Sequence, residues 1–544
     1  MSEPSGNFMQ RLLDVVERVG NKVPHPVVIF LSLIGLVVVL SHVLYMSGVQ
    51  VTQEVLVPIS SSAPVGSEFD VAEYETGPHA TYKQLDEKNY KIEARTISAR
   101  SLLTGEGIRF IYSSLIPNFM GFTALGLMIV AIVGAGVAEE SGLVKTLIRK
   151  LVIISPPRAL TYILAFVGIL SSIAADAGYL VLIPLAGIAF LSVGRHPIAG
   201  LALGFAAVAG AFTVNMLIKP LDAVLVEFTN DAIGLVDSNR SIGLASNLWF
   251  SFASVIVLTG VIALVTERLI EPRLGKYGSQ QNEANQVGND DTGGPLSPAE
   301  GRGLMFAGYA LLAVIALFSV LTLPANAPLR DPTSGDLIGN SPFMNGLIGM
   351  IAFLFLTCGA AYGYGAGTLV GLTNIIKAIE KAISGLGGTI LLFLVLSQFI
   401  AYFNYSNIGT ILALSASDVL ESASFPPLVL LVAFIFVIAL IDLLITGAIA
   451  KWALFAPVFV PLLMNLGVDP EAVLAAYRVA DSPINAITPL NAYFALVVGF
   501  SQKYDKDAGV GTVVSLMLPY VAIMFIVWTL LFIVWQILGL PWGL

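Results

Sequence analysis

The amino-acid sequence predicts an all-α polytopic membrane protein of nine transmembrane spans plus two re-entrant helical hairpins, arranged as two inverted-topology repeats. Three observations predict it. The 544 residues are 56% hydrophobic and only 12% charged, with a mean hydropathy of +0.85, where an ordinary soluble protein is roughly 25% charged. Two apolar stretches are too long for one crossing and are interrupted at small or polar residues. Proline and glycine positions recur between the two halves at an offset near 270 residues. A membrane β-barrel is excluded, because its strands would alternate apolar and polar residues with period two.

The elements follow in order. Residues 1–48 hold an N-terminal segment and the first span, near 26–47. Arg11, Arg18 and Lys22 precede the apolar run from Pro26 to Leu44, which is long for a signal core and lacks a small-residue cleavage site. It is therefore a retained span with a cytoplasmic N-terminus. Residues 49–110, with their Glu, Asp, Lys and Tyr, form a periplasmic insert. The first repeat half, 111–270, carries crossings near 119–138, 198–218 and 247–267. A Gly/Asn/Gln-rich cytoplasmic linker occupies 271–302. The second half, 303–500, carries crossings near 303–323, 345–366, 386–410 and 471–500. The C-terminal segment, 501–544, carries the last, near 512–538.

The hairpins are read from charge and length. The stretch 158–195 has basic flanks at both ends (Lys145, Arg149, Lys150 and Arg158 before, Arg195 after). As one helix it would run ~55 Å, far beyond a ~30 Å hydrocarbon core. A hairpin that enters and leaves on the cytoplasmic side satisfies both constraints, with its turn at "SSIAADAGY". The second stretch, 426–466, breaks at "ITGAIAKW" between flanks without Lys or Arg, so it opens from the outside. Five crossings separate the two, and an odd number inverts one relative to the other.

The repeat supports the inversion independently. Pro156 and Pro157 match Pro426 and Pro427; Pro184, Gly194 and Pro197 match Pro457, Gly467 and Pro470; "NMLIKPLD" matches "NAITPLN". Inverted repeats with broken helices are the architecture of secondary transporters, whose site lies at midplane where the breaks meet. The breaks at 171–178, 211–220, 446–451 and 482–489 predict one shared polar cavity, since irregular backbone persists at membrane depth only against protein or water.

Candidate site residues sit at these breaks. Asp176 is a midplane carboxylate, read as a cation ligand (Na+) or proton carrier beside Asn215, with Asn485 as the repeat counterpart; the alternative is a helix cap. Arg478 and Asp481 lie three apart on one helical face. They are read either as an i,i+3 ion pair or as a guanidinium fork for a substrate carboxylate with Asp481 orienting it. Trp452 is placed to stack on an aromatic ring or simply to pack, and Lys451 beside it to snorkel. Asn404, Ser406, Asn407 and Thr410 form a polar cluster for ligand contact or interhelical hydrogen bonding. Pro489 frees a carbonyl at the last break. Asp442 has no evident partner in the sequence.

Other classes are excluded or unsupported. There is one cysteine, Cys358, four scattered histidines, no HExxH spacing and no GxxxxGK[ST] loop. No Ser/His pair, catalytic aspartate pair or zinc-ligand spacing suggests an enzyme, and nothing suggests nucleic-acid binding. A channel, another inverted-repeat carboxylate symporter and a Na+/H+ antiporter stay open on the residues alone.

"SIAADAGYLVLIPLAGIAFLSVGRHPIAG", "ITGAIAKWALFAPVFVPLL" and "YRVADSPINAITPLNAYF" resemble the AbgT family, the p-aminobenzoyl-glutamate transporters of the ion transporter superfamily. The resemblance covers essentially the whole chain. It implies nine spans with two re-entrant hairpins, a homodimer in the bacterial inner membrane, and transport coupled to Na+ or H+. The substrates it implies are small aromatic carboxylates of the p-aminobenzoyl-glutamate or p-aminobenzoate class, or export of sulfonamide-type antimetabolites. It also implies functional roles for Asp176, Arg478 and Asp481. The family's small hydroxyl residue near the second hairpin tip is missing here, where Ala448 and Ala450 stand.

Overall fold

The computed structural model describes residues 26–58, 90–174, 178–237, 240–275, 277, 296–337, 341–422, 425–443, 445, 447–488, 490–491 and 493–544. Asp176, Pro489, Thr446, the basic residues before Pro26 and most of the 271–302 linker lie outside them. Among the described residues, eight helices are long and apolar enough to cross a membrane. The chain is a multi-pass membrane protein.

Helix α1 (Pro26–Met46) is the expected first span. The insert departs from an all-helical chain. β1 (Gln50–Pro58) and β2 (Tyr90–Ser98) pair antiparallel, Gln50 opposite Ser98 and Pro58 opposite Tyr90. Their spaced Val, Ile and Thr favour a pleated pair over a helix. The insert also ends earlier than residue 110. Thr104 caps α2 (Gly105–Met120) by accepting from the Gly107 N–H; the chain turns at Gly121 and Phe122, where Phe122 is extended, before α3 (Thr123–Glu140). Pro117 stands in the last turn of α2, just before that turn. Two amphipathic helices were not anticipated: α4 (Leu143–Ile153) and, later, α12 (Leu372–Ser384). Neither is long enough to span, and Lys381 of α12 pairs with Glu140 at 2.7 Å.

Both expected hairpin stretches are helix–break–helix units, and one limb of the second, Ala448–Asn465, is itself among the eight helices long and apolar enough to cross. Hairpin 1 runs α5 (Leu160–Leu170), a 3-10 turn (Ser171–Ala174), then a π turn (Gly178–Leu182) into α6 (Ile183–Ser192). Neither limb is long enough to cross: Leu160–Ile173 and Gly178–Ser192 rise only ~21–23 Å against a ~30 Å hydrocarbon core. Next comes α7 (Pro197–Gly210), every residue of which is buried, and the chain leaves helical geometry at Ala211. It resumes at α8 (Pro220–Ile233), where Pro220 stands in the first turn. The crossing expected near 198–218 is thus a short buried helix and a break. α9 (Leu248–Val265) extends through Leu274 as one 27-residue span.

The second half gives α10 (Pro298–Thr322), α11 (Leu347–Ala366), α13 (Gly387–Tyr405) and a further helix α14 (Ile408–Ser422). Hairpin 2 is α15 (Pro427–Asp442) and α16 (Ala448–Asn465). α17 (Pro470–Ile484) is buried at all positions but Glu471 and Ile484; the chain breaks again and continues as α18 (Phe494–Gln502). α19 (Val510–Ile537) closes the molecule. The crossing expected at 471–500 is therefore the counterpart of α7 with its break.

One helix orients the two hairpins. Past the C-terminal end of α9, Glu271 takes a two-point contact from Arg195 at the base of hairpin 1 (Nε–Oε1 2.8 Å, Nη2–Oε2 2.5 Å). Before its other end, Arg240 pairs with Asp469 at 2.8 Å, and Asn247 donates to the Glu471 carbonyl at 2.9 Å, both at the base of hairpin 2. The hairpin bases lie at opposite ends of the same span.

Candidate functional site

α7 and α17 stop where they cross. There the Thr213 N–H donates to Ser482 Oγ at 3.0 Å, the two hydroxyls are in contact, and Thr213 Oγ1 donates to the Arg478 carbonyl at 3.1 Å. These residues occupy nearly matching places in the two halves, so the backbone polar groups freed by one break are satisfied by the other.

Charged side chains gather around this crossing. Arg478, 3% exposed, donates from Nη1 to Asp222 Oδ1 at 2.5 Å and to the Thr213 carbonyl at 2.7 Å. Its Nε is buried without a hydrogen-bond partner among the described residues. The other oxygen of Asp222 accepts the Lys219 N–H at 2.9 Å, which caps α8. The Lys219 ammonium reaches Ser172 Oγ (3.2 Å) and the Phe212 carbonyl, 5.0 Å above the Phe212 ring. Asn215 ties the same break to hairpin 1, donating to the Leu170 carbonyl (3.0 Å) and to Ser172 Oγ (3.1 Å).

On the hairpin 2 side, the Lys451 ammonium contacts the Asp442 carboxylate and lies 2.6 Å from Asp481 Oδ1; all three side chains are wholly buried. Tyr477 donates to the Ala448 carbonyl at 2.6 Å, its oxygen 3.0 Å from Asp481 Oδ1. Trp452 stacks on Tyr477 with centroids 4.5 Å apart and donates to the Leu225 carbonyl (3.1 Å) and Thr229 Oγ1 (3.0 Å). Asn485 donates back to the Asp481 carbonyl at 3.1 Å, and Asn491 to the Asn485 carbonyl at 2.9 Å.

Several expectations change on this geometry. Arg478 and Asp481 are not each other's partners; each charge is met by a closer one from another element, Asp222 and Lys451. Lys451 does not snorkel, and Asp442 does have a partner. The indole face of Trp452 toward Tyr477 is already filled. Asn404 and Asn407 are not brought to the crossing. Asn407, at φ +60°, donates to the Ser98 carbonyl at 2.9 Å, and the Ser406 carbonyl accepts the Arg100 N–H at 3.1 Å, so this turn anchors the β-hairpin. Tyr179, the counterpart of Trp452, stacks on Tyr493 at 4.1 Å.

Lys219 and Asp222 were missed as site residues. Their signal was present: "IKPLD" sets a Lys and an Asp in an otherwise apolar stretch, where a charge is costly without a partner. The cluster balances: Lys219, Lys451 and Arg478 face Asp222, Asp442 and Asp481. Such a set is stable while complete, and removal of one member strands a buried charge.

Three comparisons bear on what this arrangement serves. The model of the family described as "AbgT putative transporter family" matches residues 11–544. The p-aminobenzoyl-glutamate transport protein of Escherichia coli (strain K12) is 31% identical over 527 residues, covering 97% of this chain and 95% of that protein. Among solved structures, the YdaH transporter of Alcanivorax borkumensis matches with a TM-score of 0.83 and 38% identity, over 96% of this chain and 100% of that one. MtrF of Neisseria gonorrhoeae, described as illuminating a class of antimetabolite efflux pumps, matches with a TM-score of 0.83 and 36% identity, over 96% and 97%.

Proposed function

The chain belongs to the AbgT family, a transporter family rather than an enzyme family, and on that premise we propose that it is a secondary active transporter of small aromatic carboxylates. The substrate class is that of p-aminobenzoyl-glutamate and p-aminobenzoate, with export of sulfonamide-type antimetabolites as the same machine running outward. The observation that carries this reading is the buried, balanced charge cluster where two broken helices cross. It supplies a guanidinium with an unspent N–H for a carboxylate, inside a bilayer-spanning protein.

In this reading the halves are inverted repeats of nine crossings and two re-entrant hairpins, supported by hairpin bases at opposite ends of α9. Arg478 takes the substrate carboxylate, with Asp481, Trp452 and Pro489 shaping the site. Asp176, with Asn215 and Asn485, takes the coupling ion, Na+ or H+. The protein works as a homodimer in the bacterial inner membrane, N-terminus in the cytoplasm. The test is transport of labelled p-aminobenzoyl-glutamate and p-aminobenzoate in proteoliposomes, in both directions, with Na+ and ΔpH varied separately. Gradient-driven accumulation that falls steeply in Arg478→Lys, which keeps charge but loses the planar fork, is the expected result. Flux of Na+ against H+ without either carboxylate would make it an antiporter instead.

A further inference from the structure

Hairpin 2 and α17 each bring a charge to one point. Asp442 closes α15, Lys451 stands in the first turn of α16, and Asp481 lies near the end of α17. The Lys451 ammonium sits between the two carboxylates, in contact with Asp442 and 2.6 Å from Asp481, with no solvent exposure. The surrounding groups are the Tyr477 hydroxyl (3.0 Å from Asp481 Oδ1) and the Asn485 amide (3.4 Å from Asp481 Oδ2). Two buried carboxylates converging beside a helix break make a site for one monovalent cation. Here the cation is a side chain.

We propose that Lys451 is the resident cation of this site, so that the second repeat exchanges no Na+ and any coupling cation is taken at hairpin 1 alone. The inference rests on the transporter reading above and narrows its coupling. Charge carries it. With Lys451 in place the six buried charges sum to zero, and a Na+ added between Asp442 and Asp481 would have no counter-charge there. Without Lys451, three carboxylates face two cations and the cluster is one monovalent cation short. A tethered ammonium also never leaves its site by diffusion, so it outcompetes a free ion of equal charge.

The test reads binding rather than transport. Purified protein carrying Asp176→Asn, which removes the carboxylate at hairpin 1, is melted in Na+ and in choline at equal ionic strength and pH. The expected Tm is the same in both salts. Adding Lys451→Gln is expected to make Na+ raise Tm by about 3 °C or more, as a ligand of the native state does. Lys451→Met, which fills the volume of the lysine stem, guards against misfolding of the first variant and is expected to respond likewise, whereas Lys451→Met with Asp442→Asn restores zero net charge and is expected to show no Na+ response. Adding Asp481→Asn to Lys451→Gln or Lys451→Met should abolish the response. Na+ stabilisation of Asp176→Asn alone that vanishes with Asp481→Asn would overturn the proposal. So would the absence of a Na+ response in both Lys451→Gln and Lys451→Met, including variants that unfold as readily in Na+ as in choline. Failure of transport with the Na+ response intact would instead count against the substrate reading.

Discussion

At the scale of single residues, the pairing of Arg478 decides what its substitution does. Its guanidinium answers Asp222, 256 positions away in sequence, and not its helical neighbour Asp481. Arg478→Ala therefore strands Asp222 in a buried site, at a cost of about 3–5 kcal/mol. Asp222→Ala in the same chain is expected to restore most of the lost thermal stability, without restoring transport. Asp481→Ala in place of Asp222→Ala is expected to make matters worse, because it removes a carboxylate from Lys451. Thermal melts of the two double variants check this. Rescue by Asp481→Ala and not by Asp222→Ala would mean that the charges pair along the helix after all.

At the scale of elements, the hairpins and broken helices were legible because their signals are local. Paired prolines at 156–157 and 426–427, basic flanks on one hairpin and none on the other, and "SSIAADAGY" inside an apolar run all lie within a few residues of what they specify. The remainder was not legible, for physical reasons. α2 begins at Gly105, inside the stretch expected as the 49–110 insert because its first turns carry Gly, Glu and Arg that match the composition of the insert. α4 and α12 are short amphipathic helices whose polar faces resemble loop composition. In the site, the breaks and Arg478, Asp481 and Asn215 were visible as polar residues at membrane depth. Their partners were not, because Asp222, Lys451 and Ser172 are brought to them only by tertiary packing. The packing of α7 on α6 gives a prediction at this scale. A Cβ on Gly200 would run into the Ala186 carbonyl and the Phe190 ring, whereas Gly308 of α10 has open space. Gly200→Ala should cost about 1–3 kcal/mol by forcing hairpin 1 off α7. Gly308→Ala should cost nothing, and equal melting temperatures for the two would show that the close approach is unimportant.

At the scale of the molecule, the helices fall into two groups. α3, α10 and α11 pack together with α12 against them, and α13 packs on α1 and α2. The hairpins, α7, α8, α17, α18 and α19 pack around the charge cluster. Where the groups meet, Ala131 of α3 touches Ala223 of α8 and Ile348 of α11, a small apolar cluster. Beside it lies a cavity lined by Ala135, Ile173, Ile218 and Phe355. An apolar seam of small side chains has no directional bonds to fix one register, whereas the Thr213–Ser482 contact is polar, buried and shared by both breaks. Alternating access by movement of the second group against the first would break the seam and preserve the crossing. In a Cys358→Ala background, Ala131→Cys with Ala223→Cys should therefore crosslink to an extent that changes when substrate or the driving gradient is added. Thr213→Cys with Ser482→Cys should crosslink equally in every condition. A seam pair indifferent to substrate and gradient, together with a crossing pair that responds, would place the moving boundary through the charge cluster itself, and the two groups would not be the units that move.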